Sequence, residues 1–351
     1  MERKGSILVY TLIGLWVFTG IATAATTKPP TVAELALYKG ADRQQILEEG
    51  AKKEGKLTFY SSLTWARQLA DAFQKKYPYI KVDVWRASSE NIMPRLLEEH
   101  KAGKYVADVV EITQVAGIVM EQLAVLQPFF SPNLAYVDEG AITRTPSGDV
   151  LRAAFRASGI GLGYNTKLIT RDQVPKTYRD LLDPKWKGKM AITGTDTGLY
   201  MMEASLDTFG EDFVKQLAKQ EFDVHMVSAR ALLDMIINGE YAMSPSIFDA
   251  HVIESKKKGA PVDWMPLEPV HVNLGQIVLP KTRPHPYASM LFIDFELSKE
   301  AAELYKSAGY NSTRKDVPAL IPYKKHYGAE SLKDVKETQA LFNKLFMKKA
   351  D

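Results

Sequence analysis

Apolar residues along this chain switch between two periods, and the switches divide it into alternating short strands and helices. "RQQILEEGAKKEG", Arg43 to Gly55, carries its apolar positions at helical spacing and stops at a glycine. "KLTFYSS", Lys56 to Ser62, is a short strand rich in aromatic and β-branched residues. From Thr64 onward Leu69, Ala72, Phe73 and Tyr77 return to helical spacing, and Pro78 closes the segment. "IKVDVW", Ile80 to Trp85, alternates as a strand. "SSENIMPRLLEEHKAG" follows as a helix, with Ser88 or Ser89 placed to cap it and Gly103 to end it. "ADVVEI", Ala107 to Ile112, is a third strand, and "QVAGIVMEQLAVL" the helix after it. Strands alternating with helices predict a mostly parallel sheet with helices on its faces.

The pattern then changes. "GIGLGYNTKLI", Gly159 to Ile169, reads as a strand leaving the first lobe. Its G-x-G-x-G spacing opens no helix, so it signals backbone flexibility and not a dinucleotide fingerprint. "DPKWKGKMAIT" is a polar turn entering a strand, and "DTGLYMMEASLDTFG" is a helix that begins with Asp196, Thr197 and Gly198. "SARALLDMIINGE" is a helix ending at Asn238-Gly239, while "YAMSPSIF" and "VNLGQIVLP" are strands. From Pro286 the chain is mainly helical. The expected fold class is α/β, with two lobes, each a mostly parallel sheet flanked by helices. Residues 43–157 and 274–320 are expected in the first lobe, 158–273 in the second, and 321–351 in a C-terminal helical segment.

The N-terminus adds a location. Arg3 and Lys4 precede an apolar run from Ile7 to about Ile21, and Ala22 to Ala24 form an A-x-A site. That is the pattern of a secretory signal cleaved after Ala24, since a membrane anchor needs about 20 apolar residues. Residues 25–42, with "TTKPPT", are expected to be a mobile leader. The mature chain is expected to be soluble, periplasmic and monomeric. Its 45 basic and 42 acidic residues give a net charge of +3, too balanced to suggest nucleic acid or a membrane surface as partner. There is no cysteine, which excludes disulfides, thiolate metal sites and cysteine nucleophiles.

Candidate chemistry concentrates at the ends of strands. Ser61, Ser62, Ser88 and Ser89 stand on turns at C-terminal strand ends, the edge where open α/β sheets bind ligands. Serines before helices are also ordinary caps, and Trp65 fits either a ligand wall or the core. Six histidines show no zinc spacing, and neither a G-x-S-x-G elbow nor a P-loop is present. Ser255-x-x-Lys258 lacks the companion motifs of the serine-lysine enzymes. A secreted enzyme is therefore disfavoured.

With these elements in order, the chain resembles the solute-binding proteins of bacterial ABC importers. The likeness is to the two-lobed type II branch containing the ferric-, thiamine- and phosphonate-binding proteins. It runs from about Gly55 to Pro318 and rests on "LTFYSS", "FQKKYPYIKVDV", "ADVVEI", "GYNTKLI", "LLDPKWKGKMAIT", "NGEYAMS" and "KKKGAPVDW" in that order. The resemblance implies lobes joined by crossing hinge strands and closing over a small ligand. Delivery would be to an importer permease with its cytoplasmic ATPase, with no cofactor and no chemistry on the ligand.

In the ferric-binding members the metal is held by a His after the first strand, a Glu after the "ADV" strand and two adjacent Tyr, donors that suit a ferric ion. Those positions here are Thr64, Thr113, Asp249 and Ala250, so that ligand set is missing. The family's anion-holding positions fare differently. Gln114 matches a family Gln, the helix-start triplet falls on Asp196, Thr197 and Gly198, and Arg230 lies one residue beyond a family Asn. Asp196 departs from the family and either caps the helix or repels an anion. The expected ligand is a small organic anion bearing a carboxylate, phosphonate or phosphate. Its candidate contacts are Ser61, Ser62, Thr64, Trp65, Ser88, Ser89, Thr113, Gln114, Asp196, Thr197, Gly198, Arg230 and Asp249. Transport of ferric iron or another metal is the alternative.

Overall fold

Three strands rich in branched and aromatic residues, Lys56–Ser61, Lys81–Arg86 and Val109–Thr113, pair in parallel, with Lys56–Ser61 in the middle. The computed structural model describes residues 31–328 and 332–347, so the expected signal segment lies outside the described residues. Helices Ala66–Lys76, Ser89–Lys101 and Gln114–Gln122 follow the three strands in turn. Their first turns therefore gather at one edge of the sheet, beside the C-terminal ends of the strands.

Two long strands extend this sheet. Val270–Val278 pairs antiparallel with Val109–Thr113, and Val150–Asn165 pairs antiparallel with Val270–Val278. The far half of Val150–Asn165 then pairs with Met243–Phe248 and with Val262–Met265. The two strands thus cross between the lobes. At about 3.3 Å per residue, the 16-residue strand is long enough to serve both cores. It starts nine residues before Gly159, where the sequence pattern had placed its beginning. Arg152 and Arg156 are charged, yet both are buried and ion-paired, Arg152 with Glu121 of helix Gln114–Gln122 and Arg156 with Glu111 of strand Val109–Thr113.

The first lobe is built around Phe59, Phe73 and Phe292, whose rings meet at 4.8 and 5.0 Å between centroids. Phe292 belongs to helix Pro286–Glu296. The carboxylate of Glu54 accepts from the Tyr287 and Ala288 amides at the start of that helix. A buried Arg43–Asp294 ion pair ties the same helix to helix Arg43–Glu54. The leader expected to be mobile is ordered from Thr31. Helix Val32–Leu37 has a Thr31/Glu34 capping box and sets Leu35 and Ala36, both fully buried, into the first core.

The second lobe carries helices Asp196–Phe209, Glu211–Ala218, Ala229–Asn238 and Asp249–Lys257 around the short parallel pair Ala191–Thr193 and Asp223–His225. The C-terminal segment is not helical throughout. Lys325–His326 pairs with Val270–His271. Helix Leu332–Leu345 then delivers Phe342 to the second core, with Phe346 just beyond it. No helix among the described residues is long and apolar enough to cross a membrane.

Truncating Phe292 removes the ring shared by both aromatic contacts and leaves a cavity. Phe292→Ala is expected to cost about 3–5 kcal/mol of stability, read from the midpoint of urea unfolding at an unchanged slope.

Candidate functional site

A charged residue inside a parallel strand needs a reason, and Glu111 has one. Its side chain is fully buried. Oε2 accepts from the Ser61 hydroxyl at 2.8 Å, the Ser62 amide at 2.7 Å, the Ser62 hydroxyl at 2.9 Å and the Leu63 amide at 2.9 Å. Oε1 accepts from Arg156 Nη2 at 2.7 Å. Register sets this up, because Ser61 is paired with Glu111 on one side and with Arg86 on the other. Arg156 reaches across the intervening strand at Gly275, where a Cβ would stand 2.5 Å from its Nε. Gly275 is therefore the gap through which the guanidinium passes.

Above this ion pair lies a cleft of about 220 Å³ between the lobes. The first lobe contributes Ser62, Leu63, Thr64, Arg86, Ser88, Ser89 and Thr113 from the ends of its three strands. The crossing strands add Arg156, Ser158 and Asn273; the second lobe adds Phe248, Ala250 and His251, and Tyr310 closes the rim. Among the described residues, two guanidinium groups line the cleft and no carboxylate does. Arg86 is exposed and has no ion-pair partner among the described residues. Arg156 is 6% exposed, and its Nε is buried without a hydrogen-bond partner.

The comparisons fit this geometry. The family model of the bacterial extracellular solute-binding proteins matches residues 61–303. The chain belongs to that family. A protein of Haemophilus influenzae without an assigned function is 28% identical over 163 residues, which span 41% of this chain and 44% of that protein. Among solved structures, iron-bound HitA from Pseudomonas aeruginosa superposes with a TM-score of 0.69 at 20% identity. The match covers 83% of this chain and 99% of that one. AfuA from Actinobacillus pleuropneumoniae, with exogenous fructose-6-phosphate bound, gives 0.63 at 21% identity, over 83% and 98% of the two chains. The two-lobed α/β fold is that of the periplasmic solute-binding proteins.

For a solute-binding cleft, the candidate residues divide sharply. Ser62, Thr64, Ser88, Ser89 and Thr113 converge on it. Ser88 holds the N-cap position of its helix without a side-chain capping bond, whereas Ser89 Oγ accepts from the Thr113 amide at 3.0 Å. Thr64 Oγ1 lies 3.1 Å from the Tyr310 hydroxyl. Ser61 does not reach the cleft; it is buried behind it and donates to Glu111. Trp65 packs on the first core, edge-on to Tyr305 at 5.9 Å, so its apolar ring is used for packing and forms no ligand wall.

The family-derived anion positions lie elsewhere. Gln114 lines a small enclosed cavity with Tyr200, Glu203 and His271, covered by Val335 and Thr338 of the C-terminal helix. Thr197 and Gly198 are buried, and the Gly198 amide already donates to Thr193 Oγ1 at 2.8 Å. Asp196 is exposed at the helix start. Arg230 stands outside the cleft, ion-paired to Asp234 and donating to Ser255 Oγ at 2.6 Å. Its Nη1 lies 3.5 Å from the His251 carbonyl oxygen, and the guanidinium is not among the groups lining the cleft.

Asp249 is fully buried, and its carboxylate accepts from Asn311 Nδ2 at 3.0 Å and from the Tyr323 hydroxyl at 3.1 Å. It ties the second lobe to the segment returning from it. Burial pushes its carboxyl up to about 7. Neighbouring His251 is held neutral, its imidazolium pushed down to about 4 by burial and by the nearby charge of Arg230.

Arg86, Arg156, Ser158, His251, Asn273, Tyr310 and the supporting Glu111 escaped the sequence reading. Two left a signal. Arg86 ends a strand at the same sheet edge as the serines, and Glu111 is a lone charge inside an apolar strand, which demands a buried partner. Arg156 became visible only when the strand register was known.

Two outcomes follow from these groups. Glu111→Ala strands a buried guanidinium and is expected to cost about 3–5 kcal/mol in urea unfolding. Asp249 holds its proton in the folded chain at pH values where the unfolded chain has released it. Stability is therefore expected to fall as pH rises from about 4 to about 7, by roughly 4 kcal/mol at most, and to level off above. Asp249→Asn should flatten that fall, as read from urea midpoints across the pH series.

Proposed function

We propose that this protein captures a small organic anion in the interlobe cleft and delivers it to the permease of an ABC importer. It would do so as a monomer in the periplasm, after its signal segment is cleaved at about Ala24. The observation that carries the reading is the charge of the cleft. Arg86 and Arg156 line it beside the hydroxyls of Ser62, Thr64 and Ser88, and among the described residues no carboxylate lines it. Guanidinium forks and hydroxyl donors match the oxygens of a carboxylate, phosphonate or phosphate. Arg156, aligned in advance by Glu111, meets a ligand without losing much side-chain freedom.

A ferric cargo finds less here. HitA is iron-bound and AfuA carries fructose-6-phosphate, so the same fold accommodates both kinds of solute. Among the described residues, Tyr310 is the only tyrosine lining the cleft. Among the described residues no group of three or more His, Asp or Glu is placed to hold a metal ion. Two guanidiniums oppose a bare cation through their charge.

Calorimetric titration of the mature protein with inorganic phosphate, glucose 6-phosphate, gluconate and citrate tests the proposal. At least one anion is expected to bind, with affinity reduced about tenfold or more in Arg86→Ala and in Arg156→Lys. Ferric iron bound at submicromolar strength with a visible tyrosinate band, and no anion bound, would overturn it.

A further inference from the structure

The cleft is electrically lopsided. Its two cations, Arg86 and Arg156, come from the first lobe and the crossing strand, whereas the second lobe presents Phe248, Ala250 and His251, none of them charged. The charges nearest on that lobe are spent elsewhere, Arg230 on Asp234 and Asp249 on Asn311 and Tyr323. Phe248 and His251 stand ring edge to ring face at 5.2 Å and 86°, forming a wall suited to a ligand body. His251 Nδ1 is buried without a hydrogen-bond partner. Asn273 and Ser158, next to this wall, each both donate and accept hydrogen bonds, as does a neutral imidazole. Guanidiniums, which only donate, select oxyanions; groups that both donate and accept also bind hydroxyls.

We infer that the ligand carries one anionic end, held by Arg86 and Arg156, and an uncharged hydroxyl-bearing body read by Asn273 of the crossing strand and by His251 and Phe248 of the second lobe. Inorganic anions fill half of such a site, and a molecule charged at both ends sets its second charge against a wall with no cation. This inference rests on the anion reading above and adds the shape and polarity of the ligand. His251 is a specificity residue: it gives closure of the second lobe a ligand atom to depend on, and ligand binding and hinge closure are then coupled through it.

Calorimetry on the mature protein separates the two levels. The probes are glucose 6-phosphate and gluconate against inorganic phosphate, acetate, fructose 1,6-bisphosphate and citrate. A hydroxylated compound with a single anionic group is expected to bind at least tenfold more tightly than its bare head group and than the compounds with several anionic groups. Phosphate and carboxylate heads are told apart by which of glucose 6-phosphate and gluconate wins. His251→Phe, which keeps a ring, is expected to weaken that compound about tenfold while leaving inorganic phosphate or acetate unchanged. His251→Gln, which keeps hydrogen bonding, should retain most of the affinity, and circular dichroism checks that both variants fold. Anions that bind with no dependence on His251, or a bisphosphate or citrate that binds as tightly as the single-headed compound, overturn this inference and leave the anion reading standing. Failure of every anion to bind the wild-type chain overturns both.

Discussion

The carboxylate of Glu111 organises the centre of this molecule. It has no contact with solvent, yet it accepts bonds from two serine hydroxyls, two backbone amides and a guanidinium. A charge in that place is tolerable only while those partners are present. The constraint runs both ways. The turn after the first strand takes its shape from the carboxylate, and Arg156 is drawn across Gly275 toward the cleft by the same group. Strand pairing, turn geometry and the electrostatics of the ligand space thus depend on one side chain.

The position of that network explains why it serves capture. Arg156 belongs to a crossing strand whose other half lies in the second lobe. The guanidinium therefore sits where the two lobes are joined. Asp249, Asn311 and Tyr323 form a second buried knot between the lobes. Between the two knots the cleft walls differ in charge, cationic toward the first lobe and neutral toward the second.

Much of the fold was legible as pattern. The alternation of strand and helix through Gln122, the serine-flanked helix starts and the glycine stops at Gly55, Gly103 and Gly239 all hold. Local rules govern those features, and local rules are written in neighbouring residues. The errors came where a distant partner overrode local appearance. The pattern starts the crossing strand at Gly159, but it begins at Val150, with its charged Arg152 and Arg156 neutralised by Glu121 of a packed helix and by Glu111 of the sheet. The leader looked mobile because it begins with prolines, but Leu35 and Ala36 found a core to fill.

The candidate site shows the same division. The amino-acid order alone determined that serines and threonines would stand at the C-terminal ends of the first three strands, since strand ends follow from periodicity. The resemblance to ferric-binding proteins implies, further, that their histidine, glutamate and tyrosine-pair positions are occupied here by Thr64, Thr113, Asp249 and Ala250. Only the tertiary structure decided what those hydroxyls do: Ser61 binds the buried Glu111, while Ser62, Thr64 and Ser88 face the cleft. It likewise replaced Arg230 with Arg86 and Arg156 as the cations of the cleft. The physical reason is that orientation and charge pairing arise between residues far apart in the chain, 45 positions for Arg156 and Glu111. Those contacts exist only once the crossing strands have set the register.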